Sequence, residues 1–297
     1  MVQNQKKTIK ALLALLLLTF IWGYNWVVMK QALEFSSPVQ LAFLRNFFGA
    51  LCLFLVLALL RKPIFIKEAP KLIWLGILQT TGFTGFLIWA LVEGGAGKTA
   101  ILTFTMPLWV AIMAWPFLKE RLSQFQWLSV MVCFLGIVFI FDPLHPHSNT
   151  FSMILAILSG LSWASAVILV KKINLKYPKL DLLTMTAWQM LWGSIPILIA
   201  YLVVYSEPVI WSNYFVGAII FNIIFANALG WVLWLFALKH LRAGLVSMLA
   251  LLTPIIGSIS AWVELGEVPN SFEKIGIALI LIGLMTLIFF QSKRQQT

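Results

Sequence analysis

Apolar runs of about 20 residues recur along the whole 297-residue chain, and this recurrence constrains the fold more than any other feature. They fall near 11–30, 38–60, 72–92, 99–118, 124–141, 151–170, 182–205, 213–237, 244–263 and 272–290. Each is long enough to cross about 30 Å of hydrocarbon as a helix rising about 1.5 Å per residue. None shows the period-two alternation of an outer-membrane barrel. A water-soluble core cannot absorb so much apolar surface. Here 61% of residues are hydrophobic and 10% charged, against about 45–50% and about 25% in soluble domains. Disorder fails for the same reason. Cys52 and Cys133 both lie in apolar runs, which excludes a disulfide scaffold. The predicted class is an all-α integral membrane protein with ten transmembrane helices. Connections as short as 119–123 leave no room for a soluble domain.

The charges orient these spans. Lys6, Lys7 and Lys10 precede the first run and imitate a secretory signal, but 11–29 exceeds the roughly 7–15 apolar residues of such a signal, and no small-residue cleavage site follows. It reads as a retained helix with its N-terminus in the cytoplasm. Alternate connections then collect Arg61, Lys62, Lys67 and Lys71, next Lys119 and Arg121, then Lys171, Lys172, Lys176 and Lys179. Lys239, Arg242, Lys293 and Arg294 follow on the same side. Seventeen basic residues lie there, against Lys30, Lys98 and Lys274 on the other, with Arg45 inside span two. This positive-inside asymmetry predicts an even number of spans and cytoplasmic termini, as in a bacterial inner membrane. The net charge of +11 is therefore a topology signal. A nucleic-acid partner would need those residues on one soluble face.

The chain also repeats itself. Gly97, Pro107, Trp115 and Glu120 recur as Gly244, Pro254, Trp262 and Glu267, each 147 positions on, and Gly136 recurs as Gly283 at the same shift. Trp22 and Lys30 match Trp163 and Lys171 at a shift of 141, and Gly49 matches Gly193 at 144. The division predicted is 1–147 and 148–297, five spans each. An odd number of spans per copy forces the second to enter from the opposite side. That gives two inverted five-helix repeats, a common build of secondary transporters.

The run Phe20-Ile21-Trp22-Gly23-Tyr24-Asn25-Trp26 resembles the opening signature of EamA-type transporters, in the drug/metabolite transporter superfamily. So does Gly97-Lys98-Thr99-Ala100, leading through Pro107-Leu108 to Trp115 and Leu118-Lys119-Glu120-Arg121. The resemblance covers nearly the whole chain. It implies ten helices, with a central cavity lined by spans one to four and six to nine and with spans five and ten peripheral. It also implies alternating access, often for export of amino acids or other metabolites. The second repeat departs from the pattern in span six, where Trp163-Ala164-Ser165 replaces Trp-Gly-x-Asn.

Arg45 is the most informative single residue. It lies about seven residues, roughly 10 Å, inside span two. A cation there must face protein or a water-filled cavity. It either meets a substrate carboxylate or is structural, bonded to helix carbonyls or to Glu93. Its repeat counterpart is Gln189. Trp22 and Asn25 share a face of span one, and the Asn25 amide either binds substrate or ties two helices together. Gln79, Phe83 and Phe86 form a polar-aromatic stripe on span three, and Asn222, Asn227, Trp231 and Trp234 form one on span eight. Trp163 and Trp188 are candidate walls. The substrate-binding candidates are thus Trp22, Asn25, Arg45, Gln79, Phe83, Trp163, Trp188, Gln189, Asn227 and Trp231. Pro107 and Pro254 are candidate hinges, with Thr105 and Thr253 placed to satisfy the carbonyls a proline would free.

Other features read as structural. Gly94-Gly95-Ala96-Gly97-Lys98-Thr99 imitates a nucleotide loop, but Val92 stands where the pattern needs glycine and no strand precedes it. It reads as a turn between helices. His145 and His147 share a loop with Asp142, Pro143 and Pro146 but lack further metal ligands, and His240 reads as solvated. Glu120, beside Arg121, and Glu267 lie at helix ends as ion-pair or gate residues, and no carboxylate lies well inside a span to relay protons. The function expected is a secondary transporter of small organic metabolites, exporting amino acids or related compounds. The small-molecule substrate and the bilayer are its expected partners, with no cofactor and no metal. Alternatives are an intramembrane lipid-modifying enzyme, which would need a catalytic constellation within the spans, or a non-transporting membrane sensor.

Overall fold

The computed structural model describes residues 2–119, 122–141, 149–241 and 243–294. The sequence readings for Glu120, Arg121, Asp142, Pro143, His145, Pro146, His147 and Arg242 lie outside them. Among the described residues there is no strand. The protein is an all-α integral membrane protein. Among the described residues nine helices are long and apolar enough to cross a membrane. They are α1 Val2–Ala32, α2 Pro38–Leu59, α3 Ala69–Glu93, α4 Ala96–Leu118 and α5 Gln124–Phe141, then α6 Thr150–Lys176, α7 Leu182–Val203, α8 Asn213–His240 and α10 Ser271–Arg294. Between α8 and α10 lies a tenth, α9, in two pieces: Ala243–Ala250 and Leu252–Leu265.

Local chemistry sets the helix ends. Ser37 and Gln40 cap α2 reciprocally, with Pro38 in the first turn where its missing N–H costs nothing. Asp181 Oδ1 accepts from the Leu183 and Thr184 amides to start α7. α4 and α9 end in left-handed residues 147 positions apart, Lys119 at φ 59° and Gly266 at φ 67°. Only the glycine adopts that conformation without a Cβ penalty.

Three departures from regular helix matter for the site. α3 contains a π segment at Ile77–Gly82 and α8 one at Phe221–Leu229. α4 breaks after Thr103 and resumes at Met106, just as α9 breaks at Leu251. Pro107 and Pro254 therefore fall in the first turn of a resumed helix, where proline is tolerated. Thr105 Oγ1 donates to Leu102 O at 2.6 Å, five residues before Pro107 and so not a carbonyl the proline would free. Thr253 does not follow its expectation: its hydroxyl has no hydrogen-bond partner. A proline in a first turn frees no carbonyl, so there is none for Thr253 to satisfy.

The packing partners exchange between the halves. α1 packs on α8 and α9, while α6 packs on α3 and α4. α2 meets the π segment of α8 where α7 meets that of α3. α2 and α7 pack on each other, and so do α5 and α10, through close approach at Gly136 and Gly276. Trp115 and Trp262 are both exposed on the outer surface.

The exchange is incomplete. Ala96–Thr103 of α4 packs along Leu252–Leu265 of α9, and among the described residues Met106–Leu118 has no comparable packing on Ala243–Ala250. At the Lys30 end of α1 the helices pack closely on one another. A buried cluster joins Val28, Leu41, Ile88, Ala100, Phe215 and Ala261 from six helices. Glu267 accepts from the Ala96 and Gly97 amides, and Lys98 pairs with Glu273 at 2.5 Å. Lys30 Nζ donates to the terminal carbonyls Leu91 O, Val92 O and Gly94 O of α3.

At the other end Lys62 Nζ lies 2.6 Å from Asp181 Oδ2. Partial burial pushes the Asp181 carboxyl up, but the Lys62 hydrogen bond and the Thr184 amide outweigh this and hold it below the ordinary value. A depressed folded-state value means the stabilisation is full above the ordinary carboxylate range, and is lost as pH falls through the folded value. Asp181→Ala is expected to lower the midpoint of thermal unfolding in detergent at pH 7, by an amount equivalent to about 1 kcal/mol. The difference from wild type should shrink at about pH 3.

Candidate functional site

Helices of both halves line a cavity of about 90 Å³. α1 supplies Trp22, Asn25, Trp26 and Met29, at the i, i+3, i+4 and i+7 spacing of one helical face. α2 supplies Arg45, and α3 supplies Gln79 and Phe83 from the π segment and the turn after it. Trp163 comes from α6, Asn227 and Trp231 from α8. Eight of the ten residues expected at the site are thus brought together.

Each is held by something specific. Trp22 Nε1 donates to Ala226 O at 2.8 Å, in the π segment of α8. A Cβ on Gly230 would lie 2.6 Å from that nitrogen, so glycine makes room for the ring. Trp231 and Trp234 pack on Trp22 with ring centroids 6.0 and 5.9 Å away. On the opposite wall Trp163 packs on Phe83 at 4.9 Å and edge-on to Phe104 at 5.5 Å. Asn227 Nδ2 donates to the backbone oxygen of Arg45 at 2.7 Å. Gly49 permits that approach, since its Cβ would stand 2.6 Å from the amide nitrogen.

The polar groups of the cavity are under-satisfied. Arg45 is 8% exposed. Its Nη1 donates to the Met29 sulfur at 2.9 Å, a weak acceptor, and its Nε has no partner. Asn25 Oδ1 and Thr253 Oγ1, both buried at the same cavity, also lack partners. Among the described residues no ion pair reaches Arg45, and its alternative partner Glu93 is exposed. Two rows of aromatic rings thus face a buried guanidinium and unpaired amide and hydroxyl oxygens. That arrangement can hold a flat apolar body and an anionic or hydrogen-bonding group.

Two expected residues lie elsewhere. Trp188 Nε1 donates to Ile64 O at 2.8 Å and its ring packs on Phe54 and Trp192. Gln189 Oε1 accepts from Thr80 Oγ1 at 2.9 Å, between α7 and α3. Of the two stripes, Phe86 is exposed, and Asn222 is buried with Nδ2 on Ala218 O of its own helix. His240 is half-buried, its ring on Phe236 and Nδ1 at 2.9 Å from Phe236 O, rather than solvated. The glycine-rich turn at 94–99 opens α4, and its amides are occupied by Glu267, a negative side chain where a nucleotide would place phosphate. Trp26, Met29, Leu87, Phe104, Ala226 and Thr253 also line the cavity. The first two were legible as the next steps on the Trp22 face. The other four carry no sequence signal of their own.

A strandless bundle of long apolar helices around a part-polar, aromatic-walled cavity defines a membrane transport protein. The particular group follows from comparison. The profile of the EamA-like transporter family matches residues 9–142 and again 150–289. The chain belongs to the EamA-like transporter family. It is similar to "Uncharacterized transporter YoaV" of Bacillus subtilis, 27% identical over 293 residues, covering 97% of this chain and 99% of that one. It is also similar to "Probable amino-acid metabolite efflux pump" of Salmonella typhimurium, 27% identical, covering 92% and 93%. A crystal structure sharing 14% of the sequence matches with TM-score 0.67 over 97% of this chain and 99% of that chain, which shows a shared fold.

Proposed function

We propose that the protein is a secondary transporter of small organic metabolites, an exporter of amino acids or related carboxylates, working by alternating access between repeats 1–147 and 148–297. One observation carries this reading: a buried, unpaired Arg45 faces an aromatic-walled cavity between the halves. A cation in that setting is costly unless a ligand compensates it. The efflux-pump name of the Salmonella relative favours the same class. The double family match and the exchanged packing partners favour inverted repeats. The packing of α4 on α9 at the Lys30 end, without a counterpart among the described residues at the other, is the asymmetry expected of a carrier closed on one side.

The substrate-binding set is Trp22, Asn25, Arg45, Gln79, Phe83, Trp163, Asn227 and Trp231. Trp188 and Gln189 support it from behind, through α3. Pro107 and Pro254 start the half-helices that move. Both termini lie in the cytoplasm of a bacterial inner-membrane protein, by the basic asymmetry. Single cysteines placed at Lys176 and at Pro269 are expected to react with an impermeant maleimide from the cytoplasmic and the outer side, respectively. Reaction of Lys176→Cys from outside overturns that orientation. The function itself is tested by untargeted comparison of metabolites in medium from cells with and without the protein. Enrichment of carboxylate metabolites supports export, and an unchanged profile removes it.

A further inference from the structure

The charge inside the cavity bears on how the carrier can cycle. Among the described residues Arg45 is the one ionisable side chain on the cavity wall, since the remaining lining residues are apolar, aromatic, amide or hydroxyl. No carboxylate lies among them to neutralise it or to receive an ammonium group. The guanidinium is itself buried, with a thioether sulfur as the acceptor for Nη1 and none for Nε. Any passage between open states must bring this charge through a closed cavity with less water around it. The energy of that intermediate depends on what the cavity holds. Empty, it contains an uncompensated cation. With a zwitterion it still carries a net positive charge. With an organic monoanion it is neutral, and the carboxylate supplies the acceptor that Nε lacks and a stronger one than sulfur for Nη1.

We infer that this protein is an exchanger of organic monoanions with a planar apolar body, in which the unloaded carrier reorients slowly because Arg45 then has no counter-charge. The inference rests on the transport reading above and adds to it a substrate charge and a mode of cycling. The apolar body is placed by Trp22 and Trp231 on one wall and by Trp163, Phe83 and Phe104 on the other. Asn25 Oδ1 and Thr253 Oγ1 remain available for a neutral donor on the solute, such as an amide N–H. A free ammonium group is disfavoured by the guanidinium charge within the same small cavity.

The test uses purified full-length protein in liposomes loaded with radiolabelled N-acetyl-tryptophan, a monoanion, or with tryptophan, its zwitterionic relative. Protein-free liposomes set the leak. Efflux is followed with and without unlabelled N-acetyl-tryptophan outside. N-acetyl-tryptophan is expected to leave about tenfold faster when the same anion is present outside, and tryptophan to compete about tenfold more weakly. In Arg45→Gln the ratio of exchange to net efflux should fall to about one, while Arg45→Lys, which keeps the charge, should retain it. A purely structural arginine would not move that ratio. Equal efflux with and without outside anion overturns exchange. Movement of tryptophan but not N-acetyl-tryptophan overturns the anion preference. In both cases the transport reading stands. Movement of neither, or of any in a wider carboxylate panel, removes both.

Discussion

Arg45→Ala is expected to raise the concentration of carboxylate substrate needed for half-maximal transport by about 100-fold, the scale on which losing one partner of a buried charged pair is felt. The same substitution is expected to leave thermal stability in detergent unchanged or improved. This opposition of sign is the informative part. Arg45 has no carboxylate partner and reaches only the Met29 sulfur, so removing it deletes a buried cost rather than a buried bond. A group kept for function at the expense of stability behaves this way. If Arg45 were instead a structural tie, the variant would melt earlier and its transport would fall only with the amount of folded protein. Transport in liposomes, normalised to folded protein, together with a melting curve, separates the two.

The second large effect is expected at the crossing of α3 and α7. An ideal Cβ on Gly193 would stand 2.3 Å from Gly76 O and 2.4 Å from the Thr80 Cβ. The first of these is backbone, which cannot step aside as a flexible side chain can. Gly193→Val should therefore destabilise the protein by about 3 kcal/mol or more, the upper range for overpacking. It should also break the Thr81 Oγ1 bond to Gly193 O and the Thr80 bond to Gln189. Those bonds hold the π segment that presents Gln79 to the cavity, so transport should fall even in the protein that still folds. Gly217→Ala is the matched control. Its Cβ meets nothing within 4 Å, and a helical glycine replaced by alanine gains about 0.5–1 kcal/mol. A melting temperature lowered as much by Gly217→Ala as by Gly193→Val would remove the crossing argument.

Much of the site was legible from spacing alone. Trp22 and Asn25 are three apart, Asn227 and Trp231 four apart, and Gln79 and Phe83 four apart, so each pair shares a helical face. Arg45 stood out because a charge inside a span demands a partner or a cavity. Gln189 was a candidate as the repeat counterpart of Arg45, and Trp188 as its neighbour, and they face α3 and the α2–α3 connection instead. Repeat symmetry did not help here. Arg45 and Gln189 are counterparts in sequence, yet one points at the cavity and the other at Thr80. An amide can be satisfied by a neighbouring hydroxyl, whereas a guanidinium needs a stronger acceptor or a charged ligand. Phe104 and Thr253 were hidden for another reason. They flank breaks in α4 and α9, and a break changes which way the next residues point.

The sequence by itself determined the class and the positions of the ten apolar segments. These depend on length and on the cost of backbone polar groups in hydrocarbon, both of which are written along the chain. Only the tertiary structure decided how each helix is rotated, where the π segments and breaks fall, and so which side chains meet at the cavity. The physical reason lies in the solvent. In water an amphipathic pattern reveals the buried face of a helix. In a bilayer the lipid tails are as apolar as the protein interior, so hydrophobicity marks no inner face. The choice passes instead to close packing at glycines such as Gly49, Gly193 and Gly230, and to single hydrogen bonds such as Trp22 to Ala226 and Asn227 to Arg45. Those partners lie more than 110 residues apart in the chain and come together only in the folded protein.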